Sequence, residues 1–230
     1  MSGADIKSLY SKRYSNQTAE HLYPAEFVVR AFLGTYPQLK LAPASYKGKA
    51  ILDLGYGDGR NMPLLRNLGF RIHGVEIDEA INATVAKRLK QRGLRAVLKQ
   101  GTNAAIPFDA ETFDFVLACH SCYYVEDGSS FKKNLWEIAR VMKDGGTLIC
   151  SLPMRDTYIL KNATGLGNGH WKVTTDPYGL RAGVILRAFE NKKQVVAALR
   201  PHFRNVKVGF CDDYYWGIRQ KVWIVVCEKR

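Results

Sequence analysis

The sequence has no apolar run long enough to cross a bilayer. Its longest, such as Val222 to Cys227, fall far short of the roughly 20 residues a spanning helix needs. The first residues, MSGADIKSLYSKRY, are polar and hold no apolar signal core, so no secretory targeting is expected. No repeat and no low-complexity segment interrupts the chain. The five cysteines (119, 122, 150, 211 and 227) form no regular framework. A disulfide scaffold is thereby excluded. Cys150 and Cys227, set in strand-like runs, read as buried reduced thiols, and a cytoplasmic location is the expectation. Acidic residues are few: 21 Asp and Glu stand against 34 Lys and Arg, for a net charge of +13. That excess suits either a polyanionic partner or a solvated basic surface. The densest basic stretch, Lys87 to Lys99, has no interleaved aromatics on which single-stranded bases would stack, so nucleic acid is open but not favoured.

What is present is a globular composition, 230 residues with 47% apolar, enough for one domain with a sizeable core. Residues 24–35 (PAEFVVRAFLGT) have helical spacing, with Pro24 suited to the first position and Phe27, Val28, Ala31 and Phe32 on the buried face. From Ala50 strands and helices alternate. AILDLG, RIHGVEI, AVLKQ, DFVLACH and TLICSLP read as five strands. Asn61 to Leu68, Asp78 to Arg92 and Phe131 to Met142 read as helices, the last ended by a turn at Lys143-Asp144-Gly145-Gly146. Such alternation predicts a parallel sheet covered on both faces by helices. Residues 153–183 break the rhythm with five glycines and Pro177 and read as an irregular loop, a functional lid or a mobile loop. VILRAF fits strand or helix. After a helix over Asn191 to His202, VKVGF and KVWIVVCEKR predict two antiparallel closing strands with DDYYWG between them.

The chemistry centres on ILDLGYGDGR, residues 51–60. Gly55, Gly57 and Gly59 follow a strand directly, where an open parallel sheet binds ligands. A dinucleotide loop is G-x-G-x-x-G, but here Arg60 holds the sixth position and the third glycine comes one residue early. The loop therefore suits a ligand without pyrophosphate. Glu76, ending the second strand, can accept both hydroxyls of a ribose. Asp53 would face a cation or an ammonium group, directly or through water. A nucleoside with a cationic amino-acid tail is S-adenosyl-L-methionine.

These residues resemble the class I S-adenosylmethionine-dependent methyltransferases over roughly residues 50–152. The resemblance rests on Asp53-Leu54-Gly55-Tyr56-Gly57-Asp58-Gly59, on Glu76-Ile77-Asp78, and on Gln100-Gly101-Thr102-Asn103 leading to Ile106-Pro107-Phe108. It continues through Phe113-Asp114-Phe115-Val116 and the segment Leu135 to Gly146. It implies a doubly wound Rossmann-like α/β sandwich with a mainly parallel seven-stranded sheet and an antiparallel C-terminal strand. It also implies S-adenosyl-L-homocysteine as product and a cofactor site of Asp53, Gly55, Tyr56, Gly57, Gly59, Glu76, Ile77, Thr102 and Asn103. Thr102 stands where the family often has Asp, and Tyr56 is larger than the usual small residue.

The N-terminal segment resembles the lid of many relatives, which brings in Tyr14 and Arg30. Arg30 or Arg60 would hold the methionine carboxylate; each also reads as an exposed helix charge. His120, at the end of the fourth strand, reads either as a general base or as a packed histidine, and Tyr124 with Tyr123 as pocket wall or core. Asp176, His170 and Trp171 read as substrate contacts or as a solvated loop. Cys119 and Cys122 form a lone C-x-x-C without a second pair, so no metal site is expected.

The expected layout is a helical lid over 1–46, a cofactor-binding core over 47–152, a substrate-facing insertion over 153–190 and closing elements over 191–230. The expected function is methyl transfer to a small-molecule or glycan acceptor, with RNA methylation and non-catalytic cofactor binding as alternatives. No membrane partner is expected, and the oligomeric state is open.

Overall fold

The computed structural model describes residues 22–230. Strand and helix order follows the predicted alternation. The elements are α1 (Glu26–Leu33), β1 (Thr35–Tyr36), β2 (Leu39–Lys40), β3 (Ala50–Leu54), α2 (Met62–Asn67), β4 (Arg71–Glu76), α3 (Glu79–Gln91), β5 (Ala96–Gln100) and β6 (Phe113–Ala118). They continue as β7 (Tyr124–Val125), α4 (Phe131–Val141), β8 (Met142–Pro153), β9 (Thr164–Gly167), β10 (His170–Lys172), β11 (Ile185–Arg187), α5 (Lys192–Leu199), β12 (Phe203–Tyr215) and β13 (Ile218–Lys229). Among the described residues no helix is long and apolar enough to cross a membrane.

Seven strands form the central sheet in the order β12-β13-β8-β6-β3-β4-β5. β3 pairs parallel with both β4 and β6, and β6 with β8. β13 runs antiparallel to β8 and to β12. This is the doubly wound, mainly parallel sheet the motifs imply. Chain direction across the sheet reverses at β3, whose two neighbours are followed outward in opposite senses, so the crevice beyond β3 and β6 is the ligand position of the fold.

Side-chain alternation along β3 divides the core. Ala50, Leu52 and Leu54 join the cluster under α4 and α5. Ile51 joins the opposite cluster with Phe27, Val28, Ala31 and Phe32 of α1, Met62 and Leu65 of α2, and Ile81, Val85 and Leu89 of α3. Both faces are buried, which is why the strand reads as nearly continuous apolar residues. Side-chain caps fix three helix starts: Asp78 accepts from Ala80 N at 2.7 Å, Ser130 from Lys133 N, and Asn191 from Gln194 N at 3.0 Å.

Several local expectations are corrected. α1 starts at Glu26 with Ala25 as its cap, so Pro24 precedes the helix rather than opening it. Lys143 to Gly146 lie within β8 but loop out of its ladder: Phe113 pairs with Met142 and Phe115 with Thr147, and Gly145 takes φ +71°. DDYYWG is mostly strand. Asp212 to Tyr215 pair with Ile218 to Lys221, and the reversal is confined to Trp216 and Gly217. Backbone pairing between the two long strands overrides the turn-like composition. The region 153–183 is also less irregular than its glycines suggest. β9 and β10 pair antiparallel, VILRAF supplies β11, and β7 completes a four-stranded sheet in the order β7-β11-β10-β9.

Candidate active site

One cavity of about 760 Å³ opens beyond the carboxyl ends of β3, β4 and β6. That size is within the range of small-molecule sites. Its floor is the loop after β3. Gly55, φ +66°, sits so close to Ser121 that a Cβ there would collide with the serine side chain. Ser121 Oγ in turn bonds the Leu54 carbonyl, which locks the β3 loop to the β6 loop. Gly55, Tyr56 and Gly57 line the cavity. Gly59 does not: a Cβ there would lie 2.9 Å from Val85 Cγ1, so this glycine serves the approach of α3 to the loop. The expectation that Gly59 faces the cofactor is thereby corrected, since it faces the helix.

Glu76 lines the same cavity at the end of β4. Its Oε1 accepts from Gly57 N at 3.1 Å and its Oε2 from Ile77 N at 2.6 Å. Each oxygen keeps a further lone pair for a hydroxyl donor. Burial raises this carboxyl's pKa, against the two backbone N–H groups that lower it. Ile77, Gly101, Thr102 and Asn103 extend the wall. Asn103 is committed internally: its Nδ2 donates to Ser121 O at 2.9 Å and to Tyr124 O at 3.2 Å. Its segment is tied down by α4, where Glu137 accepts from Ile106 N at 2.8 Å and Arg140 donates to Ile106 O and Phe108 O.

Asp53, expected to face a cation directly or through water, lies beneath the cavity. It is fully buried, it is not on the cavity wall, and neither carboxylate oxygen has a hydrogen-bond partner among the described residues. It projects on the Ile51 face of β3, beneath the loop, because successive side chains alternate. Burial, with Asp58 and Glu76 nearby, pushes its pKa up to about 8. An unpaired carboxylate in this setting is neutral at pH 7 until a cation arrives. Asp53, Asp58 and Glu76 together form an acidic cluster fit for a ligand with a cationic end.

Tyr56 lines the cavity, yet its hydroxyl bonds Asn82 of α3 and its ring packs on Gly74, where a Cβ would lie 2.6 Å from the ring. The large residue thus anchors the loop to β4 and α3. Arg60 also lines the cavity and pairs with Asp58, Nε to Oδ1 at 3.3 Å. Arg30 is corrected: it lies on the solvent side of α1, where Nε bonds Glu26 Oε1 at 2.9 Å, one turn back on the same helix. Tyr14 lies outside the described residues.

At the opposite end stands His120, with φ +57°. Ser151 Oγ accepts its backbone N–H at 2.9 Å and lies 3.0 Å from Nδ1, while Nε2 faces the Gln220 side-chain amide at 3.4 Å. Phe27 of α1 meets the ring edge-on at 5.5 Å. Burial first, then the cations Arg60 and Arg181, lower its pKa to about 4. Tyr124 lines the cavity and stacks on Tyr123 at 5.0 Å. His170 and Trp171 are not on the wall; Trp171 instead carries the Arg155 guanidinium at 3.7 Å. Asp176 is also off the wall, but it holds Arg181, which is on it. Cys119 and Cys122 are free thiols, and among the described residues no group of three or more His, Cys, Asp or Glu is placed to hold a metal ion.

The sequence reading missed Tyr158, Tyr178, Arg181 and Gln220, all on the cavity wall. Gln220 arrives from β13, on the far side of β8 from β6 and a hundred residues from His120. No local pattern marks it.

Residues 52–150 match the methyltransferase domain family. The chain is 29% identical over 112 residues to the uncharacterized methyltransferase YdaC of Bacillus subtilis, covering 48% of this chain and 59% of that one. It is 31% identical over 115 residues to an erythromycin 3''-O-methyltransferase of Saccharopolyspora erythraea, covering 48% and 37%. The chain thus spans about half the length of the curated relatives it matches. In fold it resembles a Burkholderia thailandensis 1,6-didemethyltoxoflavin-N1-methyltransferase, crystallised with its acceptor and S-adenosylhomocysteine. The TM-score is 0.65 at 17% identity, over 98% of this chain and 86% of that one.

Proposed function

We propose that this chain, whose residues 52–150 match the methyltransferase domain family, transfers a methyl group from S-adenosyl-L-methionine to a small-molecule acceptor. One observation carries the reading. A single cavity joins the Gly55–Gly57 loop and Glu76 to His120, Tyr124 and the insertion residues between Lys172 and Ile185.

The residues present fit the donor. Glu76 offers two oxygens to the ribose hydroxyls, and Gly57 lets the loop backbone come close. Thr102 and Asn103 flank the adenine, with Asn103 contributing shape more than its amide donors, which are already used. The orphaned Asp53, with Asp58, draws the cationic tail, and Arg60 takes the tail's carboxylate. The donor supplies an electrophilic methyl on a sulfonium. The protein's own part is to align the acceptor, exclude water and receive a proton.

His120 fits the proton-receiving role. Its low pKa keeps the imidazole neutral at pH 7, with Nε2 held only by a long contact to Gln220. A hydroxyl or amine can displace that amide and donate to Nε2. Tyr124, stacked on Tyr123, flanks the acceptor.

The layout follows: α1 covers the His120 end through Ala25 and Phe27, residues 47–152 hold the donor, and 153–190 face the acceptor. The closing hairpin contributes more than expected, through Gln220 and Val222. A small-molecule acceptor is supported by the acceptors in the relatives' names, erythromycin and 1,6-didemethyltoxoflavin. The test is release of S-adenosylhomocysteine across sugars, phenols, amines and RNA. Turnover with a small molecule is expected. Cofactor binding without turnover on any acceptor would leave a non-catalytic binder, and turnover on RNA alone would overturn the acceptor class.

A further inference from the structure

The acceptor end of the cavity contains one cation whose placement is unusually constrained. Arg181 lines the wall, yet its backbone N–H and its Nε both bond Asp176 Oδ2 at 3.0 Å. The Asp176 side chain is wholly buried and also accepts from Leu180 N at 3.0 Å and Tyr178 N at 3.1 Å. Its charge is therefore shared among several donors of one tight loop. The Arg181 Nη2 donates to Tyr158 Oη at 3.0 Å. The guanidinium carbon lies 5.8 Å from the rings of both Tyr158 and Tyr178, which meet each other edge-on at 6.3 Å. Three sides of the guanidinium are thus fixed, and Nη1 donates to no described residue.

A residue that only pinned the loop would have no reason to stand on the cavity wall. Arginine, with its planar fork of donors, is the side chain that reads a carboxylate, and the tyrosine rings beside it offer a flat apolar wall. Lys172 adds a second positive charge to the same wall.

We propose that Arg181 is the specificity residue for the methyl acceptor, and that it selects a small ring-bearing acid. The carboxylate is bound through Nη1, and the ring lies against Tyr158, Tyr178 and the Tyr123–Tyr124 stack. Asp176 is a positioning residue: it holds the guanidinium in one orientation before the acceptor enters. This deepens the small-molecule reading of the site and rests on it.

The experiment is direct binding, by calorimetry, to the full chain saturated with S-adenosylhomocysteine. The probes are para-hydroxybenzoate and its neutral amide, which match in shape. The acid is expected to bind at least about tenfold more tightly, as a charge-assisted hydrogen bond provides. Arg181→Gln should erase the difference, and Arg181→Lys should keep part of it, while both variants retain the wild-type affinity for S-adenosylhomocysteine. Retained cofactor affinity shows that the variants are folded. Equal binding of acid and amide by the wild type, binding of neither, or undiminished discrimination in Arg181→Gln would overturn the proposal. Failure of the wild type to bind S-adenosylhomocysteine would instead sink the cofactor reading beneath it.

Discussion

The two ends of the cavity are built in different ways. The donor end is made of glycines that allow close backbone approach and of charged groups held by the loop itself, chief among them Glu76, which organises two neighbouring N–H groups. All of its parts follow β3, β4 and β5 within a few residues. The acceptor end is made of side chains drawn from β7, the insertion, the end of β8 and the start of β13. Its cation and its histidine depend on partners distant in sequence, Ser151 and Gln220 for His120 and Tyr158 for Arg181. Backbone-built sites tolerate little change in loop path and read a common cofactor. Side-chain-built sites can be rewritten one residue at a time, which suits a part that must differ between relatives.

Substitutions at the two ends should separate donor binding from turnover. The largest effect is expected at His120. His120→Ala should lower kcat by about 10²- to 10⁴-fold with donor affinity unchanged, measured on the acceptor identified by the screen. The wild-type acid limb should fall at about pH 4, where His120 protonates, rather than near its ordinary 6.5. Equal loss of donor affinity would erase the division between the ends.

Glu76→Ala is expected next. It should weaken S-adenosylhomocysteine by about 1.5–3 kcal/mol through the loss of hydrogen bonds to a charged group, read by calorimetry. Unchanged affinity would remove Glu76 from the donor end.

Asp53 sharpens the contrast through pH. Its folded pKa is raised from 3.8 to about 8, so the folded state binds the proton that the unfolded chain has released. Its contribution to stability is complete below 3.8 and declines as pH rises toward about 8. Thermal unfolding of the ligand-free protein should therefore show a steeper fall over that interval in the wild type than in Asp53→Asn. Donor binding should release a proton at neutral pH, seen as a buffer-dependent calorimetric enthalpy, and the variant should not show it.

The smallest effect is assigned to Tyr56→Phe. Loss of the Asn82 contact should cost about 0.5–1.5 kcal/mol of stability by denaturant unfolding, with donor affinity nearly preserved.

Most of the fold was legible, and so was half of the site. The run AILDL, the glycines after it and Glu76 lie close in sequence, so one strand-loop-helix unit carries both the local signal and its meaning. Gly59 was misread because its neighbour, Val85, comes from α3, beyond the next helix and strand, and spacing alone cannot show which glycine faces a ligand. Arg30 was misread for a similar reason: its helical phase turns it toward Glu26 and solvent. The insertion looked irregular because β9 to β11 are short and glycine-rich, and such strands are defined by their partners more than by propensity.

By itself the sequence determined the alternating α/β architecture, the strand that ends in the glycine loop and the class of donor. These follow from local periodicity and from spacings within one supersecondary unit. Only the tertiary structure decided that Asp53 sits beneath the loop without a hydrogen-bond partner among the described residues, that Gln220 reaches His120 across the sheet, and that Tyr158 meets Arg181 on the wall. Burial and long-range pairing set those outcomes, and neither is written in the order of neighbouring residues.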